Sequence, residues 1–228
     1  MGFLITVEAP DASGKATQTA LLCSRLEKEG YKTYKFSFPN YGSDACKPVE
    51  MYLGGVLGSK PEDTGAYSAS VLFAVDRFFS YRLDWKELLD KDNTVVVLDR
   101  YTTSNAVHQI SKLNCDEWDS FLDWLYDFEF TKMALPVPDI TIALDVPPKT
   151  SRVLLEKRAK EDASHKTDIH EQDTKYLEKC YEASKYASDK WGWTRIECTD
   201  NDGNMLTRED IHEKIFHKVK EKLGICKE

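Results

Sequence analysis

Metal-ligand spacing is the first thing this chain lacks. Its six cysteines, at positions 23, 46, 115, 180, 198 and 226, form no CxxC pair, and its five histidines do not cluster. That argues against a zinc site and for reduced thiols in the cytoplasm. No run of 18 apolar residues is present, so no helix of ordinary length would cross a bilayer and no membrane partner is expected. Phe3–Val7 is too short for a signal-peptide core and lacks a basic flank. Met1-Gly2-Phe3-Leu4-Ile5-Thr6 does fit a myristoylation pattern, but the simpler reading is a first buried strand. Internal repeats and low-complexity linkers are absent. Positive charge is in deficit, with 31 Lys and Arg against 39 Asp and Glu and a net charge of −8. Nucleic acid is therefore disfavoured as the main partner.

What is present is an ordinary globular composition, 41% apolar and 31% charged, over 228 residues. One domain over 1–228 is expected, long enough to bury a substantial core. The informative stretch is the start. An apolar β-forming run, Phe3–Val7, leads into Glu8-Ala9-Pro10-Asp11-Ala12-Ser13-Gly14-Lys15-Ala16-Thr17-Gln18. Leu21, Leu22, Arg25 and Leu26 then follow at helical spacing. Strand, small-residue loop, lysine and helix is the layout of a loop that cradles phosphate. Backbone N–H groups and the helix N-terminus attract the anion, and the lysine reaches the β- and γ-phosphates of a nucleotide.

Two anchors of the full pattern are missing: Ala9 replaces its first glycine and Ala16 its hydroxyl residue. Alanine serves at the first position if φ is negative and otherwise costs about 1–2 kcal/mol. Losing the hydroxyl removes one Mg²⁺ ligand, which water can replace. A plain strand-to-helix turn remains the alternative for this segment alone.

Further along, strands are expected at Tyr31–Phe38, Thr94–Leu98, Asp139–Leu144 and Trp193–Glu197. Helices are expected at Val49–Leu57, Thr64–Leu89, Thr103–Leu113 and Asp116–Met133. Others should run from Pro147 to Arg158, from Ile169 to Lys190 and from Arg208 to Leu223. The polar stretch Lys160–Asp168 looks mobile. The alternation predicts an α/β fold, a doubly wound five-stranded parallel sheet flanked by helices, of the P-loop NTPase type. In such a sheet Asp11, Phe38-Pro39, Asp99-Arg100 and Asp145 emerge on one edge. Asp99 is the candidate Mg²⁺ holder, directly or through water. A structural Asp99–Arg100 pairing is the alternative.

Several motifs in fixed order resemble the thymidylate kinase family. Glu8…Asp11…Gly14-Lys15-Ala16-Thr17-Gln18 resembles its phosphate loop, and Phe38-Pro39 its Phe-Pro turn. Phe73-Ala74-Val75-Asp76-Arg77 resembles its Phe-x-x-x-Arg helix segment. Asp99-Arg100-Tyr101 with Ser104-Asn105 resembles its Asp-Arg-Tyr segment, and Asp168-Ile169-His170-Glu171 the acidic end of its lid. The resemblance implies ATP-dependent phosphorylation of dTMP to dTDP with Mg²⁺, in a homodimer packed through long helices. It implies that Asp11, Ala12, Ser13, Gly14, Lys15, Ala16, Thr17 and Arg152 line ATP. Arg77 would meet thymine O4, Phe73 would stack on the base, and Asn105, flanked by Ser104, would contact the base edge. Arg100 would clamp the dTMP phosphate, Asp11 would contact the 3′-hydroxyl, and Phe38 and His108 would border the nucleotide. Lys15, Arg100, Asp99 and Arg158 would be the catalytic set.

Tyr41 departs from the pattern, since many relatives place an arginine about three residues after the Phe of Phe-Pro. Ala12 is small where some members carry an arginine, which implies that a lid at about 157–170 supplies that cation. Arg158 is the first candidate and Lys160 the second. Lys157 and Lys166 add to the basic character of the segment. Two other readings stay open: a deoxynucleoside kinase, or a nucleotide-binding pseudoenzyme suggested by Ala9 and Ala16.

Overall fold

The computed structural model describes residues 2–11, 13–58, 60–161 and 174–224, and only the backbone at 61, 157–161, 174 and 175. In chain order, β1 (Phe3–Glu8), α1 (Lys15–Lys28) and β2 (Lys32–Ser37) precede α2 (Lys47–Leu53), α3 (Ala66–Ser80) and α4 (Lys86–Leu89). Then come β3 (Thr94–Asp99), α5 (Thr102–His108), α6 (Trp118–Tyr126), β4 (Ile140–Asp145) and α7 (Pro148–Glu161). The described chain closes with α8 (Thr174–Trp191), β5 (Thr194–Glu197) and α9 (Arg208–Leu223).

The strands pair in the order β2-β3-β1-β4-β5, every pair parallel. β1 and β3 show why β-branched runs suit this position. Ile5 and Val7 of β1 and Val95 and Val97 of β3 pack with Leu22 and Leu26 of α1 and with Ile211, Ile215 and Val219 of α9. Their neighbours Leu4, Val96 and Leu98 face the other way, onto Trp85, Tyr101 and Leu135. Alternate side chains of a strand point to opposite faces, so a strand buried on both sides reads as an unbroken apolar run. β2, an edge strand, carries the exposed lysines Lys32 and Lys35 instead, which discourages pairing with another edge.

The five strands and the fold class match the expectation, and the helix boundaries differ in instructive places. The expected helix from Thr64 to Leu89 is α3 and α4 joined by a π-helical segment, Tyr81–Trp85. The expected Asp116–Met133 helix likewise ends in a π-helical segment, Asp127–Lys132. A 3₁₀ turn, Ile110–Lys112, follows α5. α2 starts at Lys47 with Pro48 in its first turn and stops at Leu53 before Gly54 and Gly55, because proline suits a helix start and glycine a helix end. α7 continues past Arg158 to Glu161. The remainder of the expected lid, 162–170, lies outside the described residues, as does the Asp168–Glu171 motif.

The chain leaves β1 toward β2 on one side and leaves β3 toward β4 on the other. The strand order therefore reverses between β1 and β3, and ligands of open α/β sheets bind outside the carboxyl ends of the strands at such a point. Register places Val7 opposite Asp99 and Glu8 opposite Ala143.

Candidate active site

The β1–α1 loop has the backbone its composition demands. Gly14 caps α1 at φ 86°, with no atom within 4 Å of where a Cβ would sit. A side chain is disfavoured there by backbone geometry rather than by space. Ser13 Oγ donates to the Pro10 carbonyl at 2.5 Å and closes the turn. Ala9 is buried and is not among the described non-glycine residues with positive φ, which are Asn93, Arg100 and Ala134. The condition under which alanine can replace the first glycine is met. Ala16 and Thr17 are exposed on the first turn of α1, while Ala12 lies outside the described residues.

Lys15 points back across the loop, and its Nζ lies 2.8 Å from Asp99 Oδ1 at the end of β3. Burial lowers the Lys15 pKa, with repulsion from Arg100 adding to it and Asp99 and Glu8 opposing it. Arg100 sits one residue beyond the strand at φ 68°, a conformation costing about 1–2 kcal/mol for a residue with a Cβ. Its surroundings hold it there. Its backbone N–H donates to the Val7 carbonyl at 3.1 Å. NH1 donates to Glu8 Oε1 at 3.0 Å and to Ser104 Oγ at 3.3 Å, and lies 3.3 Å from His108 Nε2. NH2 donates to Asp11 Oδ1 at 2.6 Å. Burial alone would lower the Arg100 pKa, but Asp11, Glu8 and Asp99 together raise it. For Asp11, burial acts to raise the pKa, and Arg100, His108 and Lys15 overcome it and hold the carboxyl well below its usual range.

Glu8 is the organiser of this half. Oε1 also accepts the Ala9 N–H at 3.0 Å, and Oε2 accepts the hydroxyls of Thr103 at 3.0 Å and Ser104 at 2.5 Å. Its four donors among the described residues come from just beyond β1, just beyond β3 and the first turn of α5, which ties these three segments together. His108 backs the cluster. Its pKa is pushed down to about 3 by burial, then by Arg100 and other cations, so the ring is neutral at physiological pH. Tyr176 of α8 donates to the His108 carbonyl at 2.9 Å, and Cys180 Sγ lies 3.6 Å from His108 Nδ1. A cleft opens beside Asp11 and His108, walled by the end of β4 and by Leu177, Cys180 and Tyr181 of α8.

A second polar group lies on α3 and α5. Arg77 donates through Nε to Glu129 Oε2 at 2.7 Å and through NH2 to Glu129 Oε1 at 2.5 Å, and NH1 reaches the Tyr101 carbonyl at 3.4 Å. Asn105 Nδ2 donates to the Ser70 carbonyl at 3.2 Å and to Glu129 Oε1 at 3.3 Å. Thr102 Oγ1 donates to Glu129 Oε2 at 2.7 Å. Phe73 is half-buried, its ring edge-on to Tyr52 at 5.9 Å.

The structure thus brings Lys15, Asp99, Asp11, Arg100, Ser104 and His108 into one cluster, with Arg77 and Asn105 in a second. Other expected residues stand differently. Phe38 is a core side chain beside Tyr101, before a cis Phe38-Pro39 bond. Arg152 is exposed and ion-paired with Glu156 at 3.4 Å. Asp145, expected on the same edge, pairs with Arg195. The side chains of Arg158 and Lys160 lie outside the described set. Glu129 lies outside the motifs that carry the resemblance, although its position in line with α6 is a signal. Trp118, Phe121, Leu122 and Leu125 form a buried stripe, and Glu129 is the next position on it, a charge where an apolar residue belongs.

A doubly wound parallel sheet with a phosphate loop, a loop lysine and strand-end carboxylates defines a P-loop nucleotide-binding protein. Comparison narrows the class: the thymidylate kinase family model matches residues 7–211, and the chain belongs to that family. It is 27% identical over 191 residues to thymidylate kinase of Mycobacterium tuberculosis, an overlap of 83% of this chain and 87% of the relative. With thymidylate kinase of Homo sapiens the identity is 30% over 145 residues, 64% and 61% of the two chains. The Arabidopsis thaliana thymidylate kinase is 25% identical over 227 residues, 100% of this chain and 74% of its own.

Proposed function

We propose that this protein is a phosphotransferase that passes the γ-phosphoryl of ATP to dTMP, giving dTDP. The observation carrying this reading is the pair of cations at the switch point. Lys15 extends from the phosphate loop, Arg100 stands at the end of β3, and each is held by strand-end or loop carboxylates. Phosphoryl transfer asks a protein chiefly to position two phosphates and neutralise the charge between them. One cation per substrate phosphate does that: Lys15 for the nucleotide donor, and Arg100, whose planar fork suits a phosphate, for the acceptor.

The reaction as read requires Mg²⁺, and the donor set suits it. Among the described residues no cluster of three or more metal-ligating side chains occurs, and Mg²⁺ in phosphate sites usually takes one or two carboxylates, with waters and phosphate oxygens completing the shell. Asp99 would hold it, directly or through water. The ion would supply charge neutralisation at the transferring phosphoryl group. On the acceptor side, Asp11 would take the sugar hydroxyl and Phe73 the base face, with Arg77 and Asn105 at the base edge. Arg158 and then Lys160 are the lid cations assigned to the transferring group, in place of a loop arginine. A homodimer would bury the exposed α3 side chains Tyr67, Val71 and Phe79 and the adjoining Leu83. A cytoplasmic site suits the cysteines, all free among the described residues; no described helix is long and apolar enough to cross a membrane.

The test is coupled ADP release with ATP and Mg²⁺ over dTMP, dUMP, dCMP, dGMP and thymidine. Turnover greatest with dTMP is expected. Turnover with thymidine equal to that with dTMP would make the protein a nucleoside kinase, and no turnover with any acceptor would remove the reading.

A further inference from the structure

We infer that Glu129 is the positioning residue that gives the site its preference for a 4-keto pyrimidine, an inference that rests on the function proposed above. Glu129 is fully buried, and its two oxygens accept from four donors: Arg77 Nε and NH2, Thr102 Oγ1 and Asn105 Nδ2. A buried ion pair of this kind is poor evidence of a contribution to stability, because desolvating both charges offsets their attraction. What it does supply is orientation. Both N–H groups of Asn105 Nδ2 are directed at pure acceptors, the Ser70 carbonyl and Glu129 Oε1. Flipping the amide would set its oxygen against two other oxygens, so Oδ1 is the group these two contacts leave unspent. Arg77 is gripped along its Nε–NH2 edge and by the Tyr101 carbonyl, and of its five N–H donors two remain.

The result is an acceptor on α5 beside a donor on α3, both set by one carboxylate on the π-helical segment after α6. An acceptor beside a donor complements the N3–H and O4 of thymine or uracil. Cytosine presents the reverse, a bare N3 and an amino group, and would face acceptor with acceptor and donor with donor. Glu129 touches no substrate in this arrangement; it acts through Arg77 and Asn105. A glutamine there keeps one acceptor oxygen and places an NH2 among donors, so one of the two readers must turn.

The experiment compares kcat and KM of wild type and Glu129→Gln with dTMP, dCMP and ATP. Expected is a fall of about tenfold or more in the dTMP-over-dCMP ratio of kcat/KM, the scale of one buried polar group left unpaired. It should appear as a raised KM for dTMP, with KM for ATP within about twofold of wild type and partial recovery in Glu129→Asp. General loosening of the fold would move the two substrates' KM values together. If Glu129→Gln does not fold, Thr102→Val removes a single donor to Glu129 and is expected to move the ratio in the same direction by a smaller factor. An unchanged ratio in the folded variant, whichever of the two is read, overturns the role of Glu129 while leaving dTMP phosphorylation standing. A wild type that phosphorylates dTMP and dCMP equally overturns the inference outright. A wild type inactive with every acceptor overturns both readings.

Discussion

The two polar clusters of this protein each set an arginine against a glutamate, and they differ in how far they are sealed from solvent. Around Arg100 and Lys15 most of the charges are only partly sealed: both side chains and Asp99 keep 10–13% of their surface exposed and Asp11 keeps 27%, while Glu8 keeps 3%. Around Arg77 and Glu129 exposure is 1% and 0%. On the proposed function the first cluster would exchange a carboxylate partner for a phosphate, since solvent reaches Arg100, Lys15, Asp99 and Asp11. The second cannot release its carboxylate without burying a bare charge. On the function proposed above, the first would hold an anion that comes and goes, and the second would hold two recognition groups still.

Breaking the first cluster should act on chemistry. Lys15→Ala is expected to reduce kcat about a hundredfold or more, the cost of losing a preorganised charge at the reacting centre, with the circular-dichroism spectrum unchanged. Retention of more than a tenth of the activity would detach Lys15 from the reaction.

Breaking the second should act on stability. Arg77→Met leaves Glu129 buried without its cation and is expected to cost about 3–5 kcal/mol in denaturant unfolding. The double change Arg77→Met with Glu129→Leu should recover most of that loss, since an apolar pair of similar volume removes both charges. A loss under about 1 kcal/mol in the single variant would place the pair in solvent-like surroundings.

How far these regions could be read from sequence follows the same division. The five strands, the switch-point loop and the Lys15–Asp99–Arg100 set were legible, because strand runs and phosphate loops impose local patterns on consecutive residues. The partners that hold the set were less so. Glu8 stood in the loop motif, but its contacts to Thr103 and Ser104 span nearly a hundred residues of chain. Glu129 could be found as the charged position continuing the buried stripe of α6, but its partners Arg77, Asn105 and Thr102 lie 52, 24 and 27 residues away in the chain. The packing of Tyr176 and Cys180 on His108 joins α8 to α5, and no spacing rule announces such a contact. Helix ends shifted where π and 3₁₀ turns, which leave little trace in hydrophobic periodicity, replaced regular helix.

A smaller effect concerns pH. The native His108 pKa of about 3 lies below its unfolded value of about 6.5, so the unfolded chain takes up the proton first. Stability from this residue is complete above the unfolded value and falls as pH drops from about 6.5 toward 3. At pH 5 the loss is about 2 kcal/mol. His108→Phe should flatten that part of the stability curve between pH 7 and 5. An unchanged slope would show that the ring accepts its proton inside the fold.

The central claim is the division of labour itself, phosphate on one cluster and base on the other. It is tested most directly by titration calorimetry of dTMP and of thymidine with wild type and Arg100→Met. The account predicts that the substitution weakens dTMP at least about tenfold, the scale of a lost charge-assisted contact, and leaves thymidine affinity where it was. Equal weakening of both ligands, or of thymidine alone, would contradict it.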